Sequence, residues 1–143
     1  MANMKYTDSF EFKLLQAVEG MQSKVILRKE LKTLGSSRQL SRALSSLVKD
    51  GKIVRIGYGI YAKAYKSKYI DIPIPMGGFD SVAFEALEKL NIEWELGSAA
   101  QAYNAGKSTQ VPARNIIKLK KRFRGNIYYG KSKLYFENQT NAR

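Results

Sequence analysis

The segment SSRQLSRALSSLVKDGKIVRIGYGIYA, residues 36–62, constrains the fold more than any other stretch of the chain. Ser36 or Ser37 is placed to cap a helix, and Leu40, Leu44, Leu47 and Val48 recur at helical spacing with Ala43 alongside. KDGK closes the helix, with Gly51 able to take the left-handed conformation that most residues avoid. With Leu40 as zero and 100° per residue, the other apolar positions fall within roughly 80° of it. Arg38, Arg42, Ser45 and Lys49 fall between roughly 140° and 200°, opposite the leucines. No acidic residue joins that polar stripe before Asp50.

One face welded to a core and the other free is the layout a helix needs to enter a major groove about 12 Å wide. Arg38 and Arg42 can fork onto guanine O6 and N7, and Gln39 onto adenine N6 and N7. Ser36, Ser37 and Ser41 suit phosphate contacts at a helix start, where unpaired N–H groups favour anions. The plainer alternative is a solvated face, although such a face normally mixes acids among its bases.

KIVRIGYGIYAK then reads as two strands around the glycine-rich turn Gly57-Tyr58-Gly59. Upstream, Phe10, Leu14 and Val18 form an apolar helical stripe with Asp8 or Ser9 as cap and Gly20 as stop. KVILRKELKTLG, residues 24–35, reads as a second helix ending at Gly35. Three short helices followed by a hairpin is the order of a winged helix-turn-helix. In the wing, Arg55 and Lys63 on the strands and Tyr58 at the turn are candidates for contacting a phosphate backbone or minor groove. Ile53, Ile60 and Tyr61 read as core; Tyr58 has the alternative of covering the bundle with Tyr61.

The charge agrees with a polyanionic partner. The chain carries 25 Lys+Arg against 12 Asp+Glu, a net charge of +13. Residues 1–69 hold 14 bases and 5 acids, and residues 70–143 hold 11 and 7, so the first part carries most of the excess. Neutralising phosphates releases condensed counterions, which makes such a surface bind nucleic acid. Charge kept for solubility alone is the competing explanation.

Hydrophobic residues make up 44% of the chain, with nine Tyr, six Phe and one Trp, enough to bury a core. Cysteine and histidine are both absent, which removes disulfides, thiolate chemistry, the usual zinc sites and the commonest neutral-pH base. We therefore expect no enzyme activity, no metal and no cofactor. The start MANMKYTDSF lacks the apolar stretch of a secretion signal, and no run is long enough to cross a bilayer, so a cytoplasmic protein without membrane contact is expected.

The remainder divides the chain into a winged helix-turn-helix over 1–66, a Pro- and Gly-containing linker over 67–78, and a small α+β domain over 79–143. The overall class is α+β. In the second domain FDSVAFEALEKLN reads as a helix capped by Asp80, IEWEL as a strand, and GSAAQAYNAG as a small-residue helix. TQVPARNIIKLK and NIYYGKSKLYFEN read as strands, the latter pair turning at Gly130-Lys131. Residues 118–133 contain seven bases and no acid, interleaved with Phe123, Tyr128 and Tyr129. Arg114, Lys118, Lys120, Lys121, Arg122, Arg124, Lys131 and Lys133 therefore form a second candidate patch, for nucleic acid or for an acidic protein. A lysine-protected edge hairpin explains the same residues.

LGSSRQLSRALSSLVKDGKIVRIGYGIYAK, together with GSAAQAYNAGKSTQVPARNIIKL, resembles the AbiE-type antitoxins of abortive-infection, type IV toxin–antitoxin systems. The resemblance spans most of residues 23–137 and is to the short relatives, the full antitoxins extending further at the C-terminus. It implies a winged helix that binds operator DNA, through Arg38, Gln39, Arg42 and the wing around Tyr58. It also implies a C-terminal region tied to neutralising a nucleotidyltransferase-like toxin. The chain is thus expected to be a sequence-specific repressor of its own operon, acting on double-stranded operator DNA with inverted repeats as a homodimer. The alternatives are a module that neutralises an acidic protein, and an RNA-binding protein using the 118–133 hairpin.

Overall fold

A computed structural model describes residues 6–107, 109 and 116–137. Helix α1 (Tyr6–Gly20) starts the described chain, and Asp8 and Ser9 lie within it rather than ahead of it. Phe10, Leu14 and Val18 are buried, as their four-residue spacing requires.

The segment 24–35 departs from expectation. Val25–Leu27 is a strand, β1, and only Arg28–Leu34 turns helically, as a 3-10 helix. The reason is tertiary: β1 pairs antiparallel with β3 (Ile60–Tyr65), which puts Ile26 opposite Tyr61 and buries all three β1 residues. A short apolar run with β-branched members has no periodicity of its own, and burial on both faces selects the strand.

Helix α2 (Ser37–Lys49) follows, and β2 (Ile53–Gly57) and β3 form a hairpin whose register shifts between Arg55 and Gly57. Gly51, between α2 and β2, takes the left-handed conformation at φ 76°. The sheet order is β1-β3-β2, extended by β4 (Ile74–Pro75), which pairs with β3. Both faces of this sheet are covered. Ile26 and Ile53 join Phe10, Leu14, Val18, Leu31, Leu40, Ala43, Leu44 and Leu47 in one apolar cluster. The alternate residues Val25, Leu27, Val54, Ile56, Ile60, Ala62 and Ala64 belong to a second cluster with the rest of the chain. Burying one such leucine or isoleucine contributes about 1.5–3 kcal/mol.

The second cluster is closed by α3 (Phe79–Lys89), whose Val82, Ala83, Ala86 and Leu87 are buried. Its cap is Gly78; Asp80, expected there, sits in the first turn. Strand β5 (Trp94–Leu96) pairs antiparallel with β6 (Ile116–Leu119), and β6 pairs in parallel with β9 (Tyr135–Phe136). Between them lie α4 (Ser98–Asn104) and the hairpin β7 (Tyr128–Tyr129) and β8 (Ser132–Lys133), which turns at Gly130-Lys131 as expected. The class is α+β.

Residues 67–78, expected as a linker, contribute β4, and apolar packing continues across them. Side chains of α3 also reach the outer edge of β1. Glu85 accepts the Val25 N–H at 2.7 Å, and the Lys89 ammonium donates to the Val25 carbonyl at 2.8 Å. An edge strand with its backbone groups occupied in this way offers no template to another chain. Tyr129 donates its hydroxyl to the Pro73 carbonyl at 2.6 Å, and burial raises its pKa. Among the described residues no helix is long and apolar enough to cross a membrane.

Candidate nucleic-acid interface

The start of α2 is fixed by a reciprocal cap. The Ser36 hydroxyl accepts the Gln39 N–H, and the Gln39 side-chain carbonyl accepts the Ser36 N–H, both at 3.1 Å. Each bond satisfies an N–H that a helix start otherwise leaves open. Leu40, Ala43, Leu44 and Leu47 point into the core, while Arg38, Ser41, Arg42, Ser45 and Lys49 are exposed. The angular separation read from the sequence is therefore the separation in space, with Val48 half-buried at the margin.

Gln39 departs from its expected role. Its side-chain oxygen, which would accept from adenine, is committed to the cap, and the residue is half-buried. Ser37 is also engaged: its hydroxyl and its carbonyl each accept from the Arg28 guanidinium at 3.0 Å. Arg28 was not among the candidates, because the helical reading of residues 24–35 hid its place at the end of β1. Its own N–H donates to the Gly59 carbonyl at 2.9 Å. One residue thus joins the turn of the β2–β3 hairpin to the first turn of α2.

At that hairpin turn, Tyr58 is 90% exposed. The Arg55 guanidinium lies 5.8 Å from its ring centroid and donates through Nε to the Gly57 carbonyl at 3.2 Å. The pair holds a cation and an aromatic in a fixed relation at the tip, with Arg55 exposed. Lys63 is placed differently. Strand alternation turns it toward α1, where its ammonium donates to the carbonyl of Met21. Cations satisfy carbonyls left open beyond a helix end, so Lys63 secures α1 rather than the hairpin's outer surface.

The second basic run does not form one patch. Ile117 and Leu119 of β6 are buried, which sends Lys118 and Lys120 to the other face. Lys118 lies 4.0 Å from Glu137, and Lys120 lines a cleft with Glu88 and Glu93. Glu137 accepts the hydroxyl and N–H of Ser98 at the start of α4; these bonds, with the Lys118 charge, hold its pKa below the ordinary carboxylate value. Lys133 lies 5.7 Å over the Tyr135 ring. Lys121, Arg122, Arg124 and Lys131 are exposed. Arg124 is next to Gly125, which shares a groove with the hairpin residues Arg55, Gly57 and Tyr58. Arg114, with most of the block from Ser108, lies outside the described residues.

Residues 13–142, covering both the α2 face and the C-terminal hairpin, match a family described as a family of unknown function, DUF6088. The chain belongs to the DUF6088 family. No curated protein and no solved structure matches it. In this DUF6088 member Arg38, Arg42 and Lys49 on α2 and Arg55 on the hairpin are all exposed.

Proposed function

We propose that the protein is a sequence-specific, double-stranded DNA-binding regulator in which α2 is the recognition helix of a winged helix-turn-helix and the β2–β3 hairpin is its wing. The observation that carries this reading is the exposed, acid-free Arg38/Arg42/Ser45/Lys49 face opposite a fully buried leucine face. The order α1, β1, 3-10 helix, α2, β2, β3, with β3 between β1 and β2, supports it. So does Arg28, which fixes the wing tip relative to the helix start. In this reading Arg38 and Arg42 reach base edges, Ser41, Ser45 and Lys49 meet phosphates, and the Arg55–Tyr58 pair follows the backbone beside the groove.

The regulator acts in the cytoplasm, without catalysis, as a repressor of its own operon. Its resemblance to AbiE-type antitoxins extends the proposal to a toxin–antitoxin, defence or mobile-element locus with a nucleotidyltransferase-like partner, and to a homodimer on an inverted repeat. An electrophoretic mobility assay on the upstream region of its own gene tests the reading. The expected result is a shift that survives excess random DNA and weakens steeply with salt. No shift at low salt, or equal binding to random DNA, sinks it.

A second reading, a module that binds a protein, is favoured by one stretch. Tyr65, Tyr69, Ile70, Ile72 and Met76 are all exposed, Tyr69 at 92%. Apolar side chains concentrated in this way mark contact surfaces. A stable co-purified protein complex that excludes DNA would favour this reading over the first.

A further inference from the structure

The C-terminal half reaches the proposed wing. Strand β2 is the terminal strand of its sheet, and the segment leading into β7 lies against it. The approach is close: a Cβ built on Gly57 would sit 2.9 Å from the Asn126 carbonyl oxygen. Between the two elements runs a groove lined by Arg55, Gly57 and Tyr58 on the wing and by Gly125, Asn126 and Tyr128 opposite. Tyr58 and Tyr128 are both exposed, Arg124 adjoins Gly125, and the lining holds no acid.

We propose that residues 124–128 form a second wing, and that this groove takes the sugar–phosphate backbone of the duplex that α2 reads. The proposal rests on the winged-helix reading and extends its footprint. Three features favour a backbone over base edges. The cation Arg55 lines the groove and exposed Arg124 adjoins its residue Gly125 in the chain, phenol hydroxyls such as those of Tyr58 and Tyr128 are ordinary phosphate ligands, and glycines at positions 57 and 125 keep the floor low. Tyr58 is common to the wing tip and the groove, so the two surfaces are continuous. The basic run of residues 118–133 is thereby divided: Arg124 belongs to the DNA surface, and Lys118 and Lys120 face carboxylates elsewhere.

The test uses the full chain, a duplex from its upstream region, and the double variant Arg124→Ala/Tyr128→Ala, both positions being exposed. A thermal melt matching wild type verifies the fold; Arg124→Glu alone is the second variant. The expected result is several-fold weaker binding, unchanged sequence preference, and a salt slope smaller by about 0.9 for each phosphate no longer neutralised. Hydroxyl-radical protection disappears on one flank only. An unchanged slope and footprint in both variants overturn the second wing while leaving the α2 reading intact, provided Arg38→Ala/Arg42→Ala still abolishes preference. If wild type fails to bind the duplex, both readings fall. Loss of single-strand binding in Tyr128→Ala with duplex binding unchanged overturns the proposal in favour of a single-strand groove.

Discussion

The guanidinium of Arg28 donates to both the hydroxyl and the carbonyl oxygen of Ser37, each at 3.0 Å, while its own N–H holds the Gly59 carbonyl. Both bonds come from one guanidinium nitrogen, Nη2, whose two N–H groups are fixed in the guanidinium plane, unlike the rotating ammonium on a lysine's flexible stem. Arg28 thus ties the start of α2 through its side chain, and the turn of the β2–β3 hairpin through its backbone. Replacing Arg28 by Ala is expected to cost about 1 kcal/mol of stability. It should also lower duplex affinity more than the small melting shift would explain. Arg28→Lys should restore little of the affinity. Thermal melts and mobility assays on the three proteins check this.

Arg38 and Arg42 are exposed and make no contribution to the core. Arg38→Ala and Arg42→Ala should therefore melt with wild type while losing preference for the operator, by about 1–3 kcal/mol for each bidentate base pairing removed. Competition titrations with operator and scrambled duplexes measure the difference. Wild-type preference in both variants would mean that another face reads the bases.

Ser36 and Gln39 cap α2 reciprocally. Ser36→Ala should destabilise the chain by about 1 kcal/mol, and Ser36→Asp should recover most of it, since aspartate accepts the same N–H and suits the positive helix start. Urea unfolding of the three proteins is the measurement. Gln39→Ala is expected to behave as a cap mutation, lowering stability without changing base preference.

Glu30 couples the two halves. It pairs with Lys89 at 2.9 Å and accepts the Leu27 N–H at 2.9 Å. Desolvation pushes its pKa up, but the bonds from Lys89 and Leu27 and the charges of Lys89 and Lys29 outweigh it, so the value lies below the ordinary 4.5. A carboxylate depressed in the folded state contributes stability that is present above the unfolded pKa and lost as pH falls through the folded one. Unfolding free energies measured from pH 7 down through pH 4 should fall more steeply in wild type than in Glu30→Gln. Parallel curves would assign the acid sensitivity to other carboxylates.

Gly57 is a matter of space. The Asn126 carbonyl stands 2.9 Å from where its Cβ would be, and backbone cannot swing aside as a side chain can. Gly57→Ala should cost about 1–3 kcal/mol and lift residues 124–128 from the wing. Hydrogen exchange should quicken in that segment, and duplex affinity should fall with it.

Local sequence is enough for α2. Its leucine spacing, its Ser36 cap and its acid-free opposite face are local facts with a period of 3.6, and the folded chain keeps each of them. Local sequence also suffices for the β2–β3 and β7–β8 hairpins, whose turn glycines sit between strand-forming runs. Packing between distant segments set the rest. VIL carries no period, and only the β3 partner and burial on both faces made it a strand. Arg28, Gln39 and Lys63 took their roles from what packed beside them: a bridge, a cap and a helix-end tie. The cations of residues 118–133, continuous along the chain, were parted by the pleat of β6 and by the course of the backbone to β7. Charge and periodicity are written along the chain, but a side chain's partner depends on residues distant in sequence, and packing alone supplies them.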